Sequence, residues 1–239
     1  MALTVFNLVP SVTNMFGKSV LPCAAQSWAK GQKEAVQKQL QSVLFLTALI
    51  ALPAAGGLFC LSDSILMLLY PGQETACRIA AESLRSLLPG MVFLCFTMPL
   101  FSIFQGIGRA DLPVKYMLPC IAIKLLGNIL FLQIPACSLL GAGLSTSLCY
   151  ALLFGMTLFS LCRMLGMSLR GLKPILPLCY AATMSITTAY LFRNLTRTMP
   201  LPVMLLCSVG SAVVMYGVVL LLLEKTANRL REGLCFRMV

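Results

Sequence analysis

The chain contains no histidine and few acidic residues. Its 239 residues include 0 His and 7 Asp and Glu, against 18 Lys and Arg. Without histidine, His-ligated zinc sites, histidine general bases and serine-type triads have no support. Charged residues make up only 10% of the sequence while 59% is hydrophobic, and the mean hydropathy is +0.92. This composition lies far from that of a water-soluble domain and predicts an all-α, polytopic membrane protein.

Carboxylates are missing from the centres of the apolar segments. The acidic residues fall in predicted loops, at segment ends or in the tail: Glu34, Asp63, Glu74, Glu82, Asp111, Glu224 and Glu232. A proton relay or a sodium site usually needs a carboxylate at membrane depth, so the sequence offers no ion-coupling group of its own. No acid/base pair or activated nucleophile occurs at that depth either. We therefore expect no enzyme activity, no metal and no cofactor.

Apolar segments of helix length recur along the whole chain. A hydrocarbon core about 30 Å thick needs roughly 20 apolar residues for each helical crossing. Seven such segments are predicted, at 3–27, 42–61, 83–106, 113–134, 138–162, 173–192 and 201–223. Between the first two, Val36 and Leu40 lie four residues apart in a stretch rich in Lys and Gln. That spacing predicts a short amphipathic helix lying at the membrane interface.

The net charge of +11 has a membrane explanation. Loops on one side, with the C-terminal tail, contain 12 Lys and Arg, whereas the loops on the other side contain 4. Because cytoplasmic loops collect Lys and Arg, the first side is predicted to be cytoplasmic, and nucleic acid is not expected as a partner. With seven crossings the N-terminus is then outside. An odd number of crossings with that orientation indicates a fragment of a longer protein.

Two lysines lie inside predicted crossings, Lys18 and Lys124. A lysine near a helix centre costs about 2.5 to 3.5 kcal/mol on insertion scales. Asn128 lies one turn after Lys124 on the same face, so an ammonium and an amide form one polar patch. Such a patch suits a phosphate or a sugar phosphate. Alternatively, each lysine snorkels to the interface or binds a backbone carbonyl of a neighbouring helix.

Prolines and small residues suggest how the helices bend and pack. Pro22 follows Lys18 by four residues and is predicted to kink its helix. Small residues four apart, Gly141 with Ser145 and Gly143 with Ser147, predict close contacts between helices.

Seven of the 11 cysteines lie singly within or beside apolar runs and are predicted to be reduced core residues: Cys60, Cys95, Cys120, Cys149, Cys162, Cys179 and Cys207.

Several stretches together resemble one family. "SVLPCAAQSWAKGQKEAVQ" followed by "LPAAGGLFCL" and "ILMLLYP" is similar to a region of stage V sporulation protein B and polysaccharide flippases. "FQGIGRADLPV" resembles their "QGxGR" loop with its nearby proline. "KLLGNILFLQIP" and "LLGAGLSTSLCY" resemble their "K-x-x-x-N" and "GxxGAxxxT" helices. The chain thus resembles the multidrug/oligosaccharidyl-lipid/polysaccharide (MOP) exporter superfamily over almost its whole length.

The resemblance implies half of a two-lobed transporter. Residues 1–162 would be the last five helices of the C-terminal lobe, of the polysaccharide biosynthesis C-terminal type, and residues 163–239 two added transmembrane helices with a cytoplasmic tail. The first lobe would then come from a separate chain, and transport would proceed by alternating access as two lobes rock. The implied location is the cell membrane. The implied substrate is a lipid-linked oligosaccharide, or a peptidoglycan or polysaccharide precursor.

The implied site residues follow the matched motifs. Lys124 and Asn128 match the "K-x-x-x-N" positions and, with Lys18, would line a cavity for the anionic sugar-lipid, while Pro22 matches the helix-breaking proline. The matched cytoplasmic turn consists of Gln105, Gly106, Gly108 and Arg109. Gln26 stands where some members carry an acidic residue, which argues against a coupling role there. The alternatives are half of a MATE-type drug exporter and a truncated membrane assembly component that transports nothing.

Overall fold

The described part of the structure consists of helices joined by short turns, with no strand among the residues it covers. The computed structural model describes residues 2–132, 138–167, 183, 186–188, 190–191, 203 and 207–219. Its long helices are α1 (Ala2–Ala29), α2 (Lys33–Leu69), α3 (Glu74–Gly106), α4 (Asp111–Leu132) and α5 (Ser138–Leu165). A shorter apolar helix covers Cys207–Val219. Within these residues, α2, α3, α4 and α5 are long and apolar enough to cross a membrane. The predicted all-α membrane bundle is confirmed.

The first five predicted segments coincide with α1 to α5, but the helices extend beyond them. α2 and α3 are separated by only Tyr70–Gln73, so most of the predicted loop between segments 42–61 and 83–106 is helical. The sixth segment falls largely outside the described residues, whereas the seventh contains the short helix Cys207–Val219, and the residues described in both segments are helical. The division of the chain at residue 162 stays a prediction.

The third helix, α3, occupies the centre of the bundle and packs against α1, α2 and α5. Its buried side chains belong to two apolar clusters, one around Leu100 and Phe104 and one around Leu84 and Met91. By contrast, α4 packs mainly on α5 and exposes large apolar side chains on its other faces. In a bilayer that exposed surface suits lipid or another apolar helix, because neither needs hydrogen bonds from it.

The prediction of a separate interfacial helix before the second crossing is wrong. The stretch forms the first turns of α2, in which Val36 and Leu40 are fully buried within the bundle. Gln37 Nε2 donates a hydrogen bond of 2.8 Å to the Leu165 carbonyl at the end of α5. A helix end leaves carbonyls without intrahelical partners, and a side chain of α2 satisfies one of them here. The start of α2 therefore covers the end of α5.

The predicted small-residue contacts are present, and the two pairs face different helices. Gly143 and Ser147 contact α3, whereas Gly141 and Ser145 contact α4. A Cβ atom at Gly90 of α3 would lie 2.9 Å from the Ser147 Cα, closer than real Cβ contacts allow. Small residues at these crossings let the helix backbones approach, as is common in membrane bundles.

A serine of α5 bridges two backbone groups of α3 next to a proline. The Gly90 N–H donates to Ser147 Oγ at 3.1 Å, and the Ser147 hydroxyl donates to the Ser86 carbonyl at 2.9 Å. Pro89, between these two groups, has no N–H and disturbs the helix around it. A hydroxyl from a neighbouring helix is one of the ways in which membrane proteins satisfy backbone groups near proline.

The cysteines are distributed through the core. No disulfide bond joins cysteines in the ranges that the structure describes. Five cysteines predicted to be core residues are buried: Cys60, Cys95, Cys120, Cys149 and Cys162. The prediction is wrong for Cys207, which is exposed at the start of the short helix, and Cys179 lies outside the described residues.

Candidate functional site

One exposed face of α1 carries a stripe of polar side chains. Asn7, Ser11, Asn14 and Lys18 are spaced four, three and four residues apart, so they share one side of the helix. Asn7, Ser11 and Lys18 are exposed and Asn14 is half-buried. A neighbouring face of α1 is buried, with Gly17 close to Ser102 of α3. Sequence analysis identified only Lys18, although the three-to-four periodicity of polar residues was a signal for the whole stripe.

Pro22 does not break its helix. α1 runs without interruption through Pro22 to Ala29, so the part of the prediction that made it a helix-breaking residue is wrong, and a kink there stays a prediction. Pro22 lacks the N–H that would otherwise bond the Lys18 carbonyl four residues earlier. Both residues are exposed. The side-chain ammonium and the backbone carbonyl of Lys18 therefore both add polarity to this part of α1.

Lys124 lies on α4 beside an aromatic ring of α5. Its Nζ is 6.0 Å from the centroid of the Tyr150 ring, and the residue is half-buried. A lysine over an aromatic face at about 6 Å is attracted by the ring quadrupole, more strongly where water is excluded. No carboxylate within residues 2–132 or 138–167 forms an ion pair with Lys124. Tyr150, which sequence analysis missed, is the partner that helps to accommodate the charge.

Asn128, one turn further along α4, also contacts α5. Its Oδ1 accepts a hydrogen bond from the hydroxyl of Ser145, a buried residue. The helices approach closely here, since a Cβ atom at Gly127 would lie 2.8 Å from the Ser145 Cβ. The predicted pair of Lys124 and Asn128 thus shares one face of α4, and that face is turned towards α5. A role for the pair in binding substrate stays a prediction.

Tyr150 also connects the two helices that carry the predicted lysines. Its ring stacks on Phe6 of α1, with the ring centroids 6.4 Å apart. Lys18 follows Phe6 by 12 residues, which is about 18 Å along a helix axis. The structure therefore places Lys124 near the beginning of α1 and does not bring it into contact with Lys18. The two cations are separate points on the surface formed by α1, α4 and α5.

The predicted turn after α3 is a compact helix cap. Gly108 has a φ of 75°, and the Arg109 N–H donates to the Phe104 carbonyl at 2.9 Å. This arrangement, with glycine in the left-handed region, is a common way to end a helix. Gly106 lies against α1, since a Cβ atom there would be 2.9 Å from the Leu21 carbonyl oxygen. Gln105, at the end of α3, is exposed. The side of the membrane on which the turn lies stays a prediction.

Packed apolar helices with isolated polar groups on α1 and α4 define a multi-pass membrane protein. The chain belongs to the MatE family, whose sequence profile matches residues 1–130. Membership confirms the predicted MOP superfamily. The finer likeness to stage V sporulation protein B stays a prediction.

Two known proteins are similar to the chain. An uncharacterized membrane protein of Methanocaldococcus jannaschii, MJ1068, is 26% identical over 153 residues, which is 64% of this chain and 29% of the archaeal protein. Among solved structures, the lipid II flippase MurJ in an inward closed conformation has a TM-score of 0.68 at 16% identity, covering 94% of this chain and 45% of the flippase chain. This likeness shows the fold. The chain spans less than half the length of either protein.

Proposed function

We propose that the chain is the C-terminal part of a flippase that moves a lipid-linked oligosaccharide, or a peptidoglycan or polysaccharide precursor, across the cell membrane. The main support is the likeness in fold to the lipid II flippase MurJ over 94% of the chain. Family membership over residues 1–130 supports the same class. In this proposal the chain works by alternating access with a further lobe supplied by a separate chain, and it catalyses no covalent step.

The cationic and amide groups of α1 and α4 would hold the polar part of the substrate. Lys18 and Lys124 supply ammonium groups for a phosphate or pyrophosphate, and Asn7, Asn14 and Asn128 supply amides for sugar hydroxyls. The lipid tail would stay in the bilayer beside the apolar helix surfaces. Because no acidic residue lies in the middle of a crossing, an ion-coupling group would have to come from the other lobe. The lack of an acidic residue in the middle of a crossing also disfavours the alternative that the chain is half of a MATE-type drug exporter.

A second candidate role is a membrane assembly component that transports nothing. Its support is that the chain spans only 45% of the flippase chain and 29% of the archaeal relative. Rocking of two lobes needs both lobes, so a chain without its partner would only pack against other membrane proteins. The coding frame immediately upstream distinguishes the two roles, because the flippase proposal expects a bundle of similar helices there or in a partner chain.

Copurification followed by reconstitution tests the proposed function. In mild detergent we expect the chain to bring a second membrane protein with it. In vesicles, the two together should move a fluorescent lipid-linked oligosaccharide to the leaflet that a membrane-impermeant quencher reaches. Vesicles with either component alone should move none. If no second chain copurifies and the labelled lipid stays in its leaflet, the flippase proposal is wrong and the assembly role is supported.

The proposed orientation can be tested by labelling the end of the chain. A reporter fused after Val239 should be cytoplasmic, because the Lys and Arg surplus lies on the loops of that side and in the tail. Alkaline phosphatase, active only outside, and green fluorescent protein, fluorescent only inside, give opposite readings at one fusion site. Phosphatase activity without fluorescence would contradict the proposed orientation.

A further inference from the structure

A charged pocket lies between α2 and α3, close to the loop that joins them. Its cavity has a volume of about 400 Å³. The lining residues are Asp63, Ser64 and Met67 from α2 and Arg78, Glu82 and Arg85 from α3. The three residues of α3 are spaced four and three apart, so they share one face of the helix. This site is separate from the polar surface of α1 and α4, and sequence analysis did not detect it.

One ion pair builds the wall of the pocket. Arg85 Nη2 donates to Asp63 Oδ2, and the two side chains are 33% and 28% exposed. This bond uses one of the five N–H donors of the guanidinium, so the others remain able to bind a ligand. Arg78 and Glu82 are exposed, and neither forms an ion pair with another residue in the described part of the chain. The pocket thus presents a fixed cation beside a second cation and an accessible carboxylate.

The pocket lies at the level where the bilayer changes from hydrocarbon to headgroups. After Arg85, α3 continues without a charged residue to Gly106, a length of about 30 Å that matches the hydrocarbon core. Asp63 follows the apolar part of α2 and lies six residues before that helix ends. Charges at both positions face the same cavity. A ligand in it would therefore be at the depth of lipid phosphates.

The balance of charges selects the type of headgroup. Two guanidinium groups and two carboxylates give the lining no net charge, so a purely anionic ligand would meet as much repulsion as attraction. A phosphate that carries a primary amine fits better, because arginine binds phosphate with paired N–H groups and an ammonium donates to carboxylates. We propose that this pocket binds the headgroup of a phosphoethanolamine lipid, with phosphate on Arg78 and Arg85 and ammonium on Glu82.

Lipid retention by the purified chain tests this proposal. The full chain in mild detergent is mixed with equal amounts of phosphatidylethanolamine, phosphatidylcholine and phosphatidylglycerol of identical acyl chains, and bound lipid is counted by native mass spectrometry. We expect about tenfold preference for phosphatidylethanolamine over phosphatidylcholine, because the methylated amine cannot donate the charge-assisted hydrogen bond. Equal retention of these two lipids would overturn the proposal.

Matched variants separate the two halves of the headgroup. Arg78→Gln should lower retention of both lipids, whereas Glu82→Gln should remove only the preference for phosphatidylethanolamine. Arg163→Gln and Glu34→Gln, which change exposed residues at the end of α5 and at the start of α2, far from the pocket, should leave retention unchanged. If neither pocket variant differs from these controls while all four melt at the same temperature, the site is not a headgroup site. Equally strong binding of soluble O-phosphoethanolamine would show that the occupant is a free phosphate ester and that the assignment to a lipid is wrong.

Discussion

Replacing Gly143 by leucine is expected to remove most of the correctly folded protein. A Cβ atom at this position would overlap the Ser86 side chain and lie 3.2 Å from the Ser86 carbonyl carbon, so the added side chain has no room between α5 and α3. Overfilling a packed contact costs about 1 to 3 kcal/mol or more, and here a backbone must move to relieve it. Size-exclusion chromatography in mild detergent should show a large loss of the monodisperse species.

The matched control is Gly155→Leu on the same helix. Nothing lies within 4 Å of a Cβ atom at Gly155, and the residue is exposed. The same chemical change at this position should leave the yield and the melting temperature close to those of the wild-type protein. If both variants behave alike, the close approach of α3 and α5 is not what stabilises the bundle.

Under the proposed flippase function, the substitution Lys124→Met is expected to reduce translocation of a lipid-linked sugar about tenfold, the loss that follows when one charged hydrogen bond to a phosphate is removed. Insertion should be unaffected, since a methionine is cheaper to place at membrane depth than a lysine. The measurement is the rate of movement in vesicles that contain the chain and the second lobe that the proposed function requires.

Lys115→Met provides the control on the same helix. Lys115 is exposed and pairs with Asp111 at 3.2 Å in the first turns of α4, so its loss should cost little stability and no transport. Unchanged transport by Lys124→Met, with the expected amount of protein in the vesicles, would remove the substrate-binding role of Lys124. The contact with Tyr150 would then be its whole function.

The sequence was enough to predict that the elements are helices, because a long apolar run that crosses a bilayer forms a helix. The limits of those elements could not be predicted. The apolar composition shows which residues lie in the hydrocarbon core, but a helix can continue past them as long as its backbone hydrogen bonds are formed. For this reason α2 includes Asp63, which lies beyond the predicted segment. The prediction of an interfacial helix was wrong for a related reason. Val36 and Leu40 have the spacing of a surface-bound helix, but the end of α5 covers them, and local periodicity contains no information about a segment far along the chain.

In the candidate site, too, positions within one helix could be predicted from the sequence, whereas contacts between helices could not. The helical period alone placed Lys124 and Asn128 on one face, and the structure agrees. Their partners could not be predicted, because Tyr150 and Ser145 belong to another helix and only the crossing of α4 and α5 brings them near. Similarly, Asp63 lies just after the predicted segment 42–61 and Arg85 near the start of segment 83–106, and the sequence gives no sign that they meet. Their contact depends on how far α2 and α3 extend past the hydrocarbon.

The hydroxyl of Ser147 has a consequence for the order of biosynthesis. It bonds backbone groups on both sides of Pro89, yet 57 residues separate Gly90 from Ser147. During translation α3 therefore emerges well before α5 does, and the bridge that Ser147 makes between these two groups of α3 forms only when the later helix has entered the membrane. Until then the Gly90 N–H and the Ser86 carbonyl, four residues apart, have only partners within α3 or water, so the contact that joins α3 to α5 here belongs to a late step of membrane assembly.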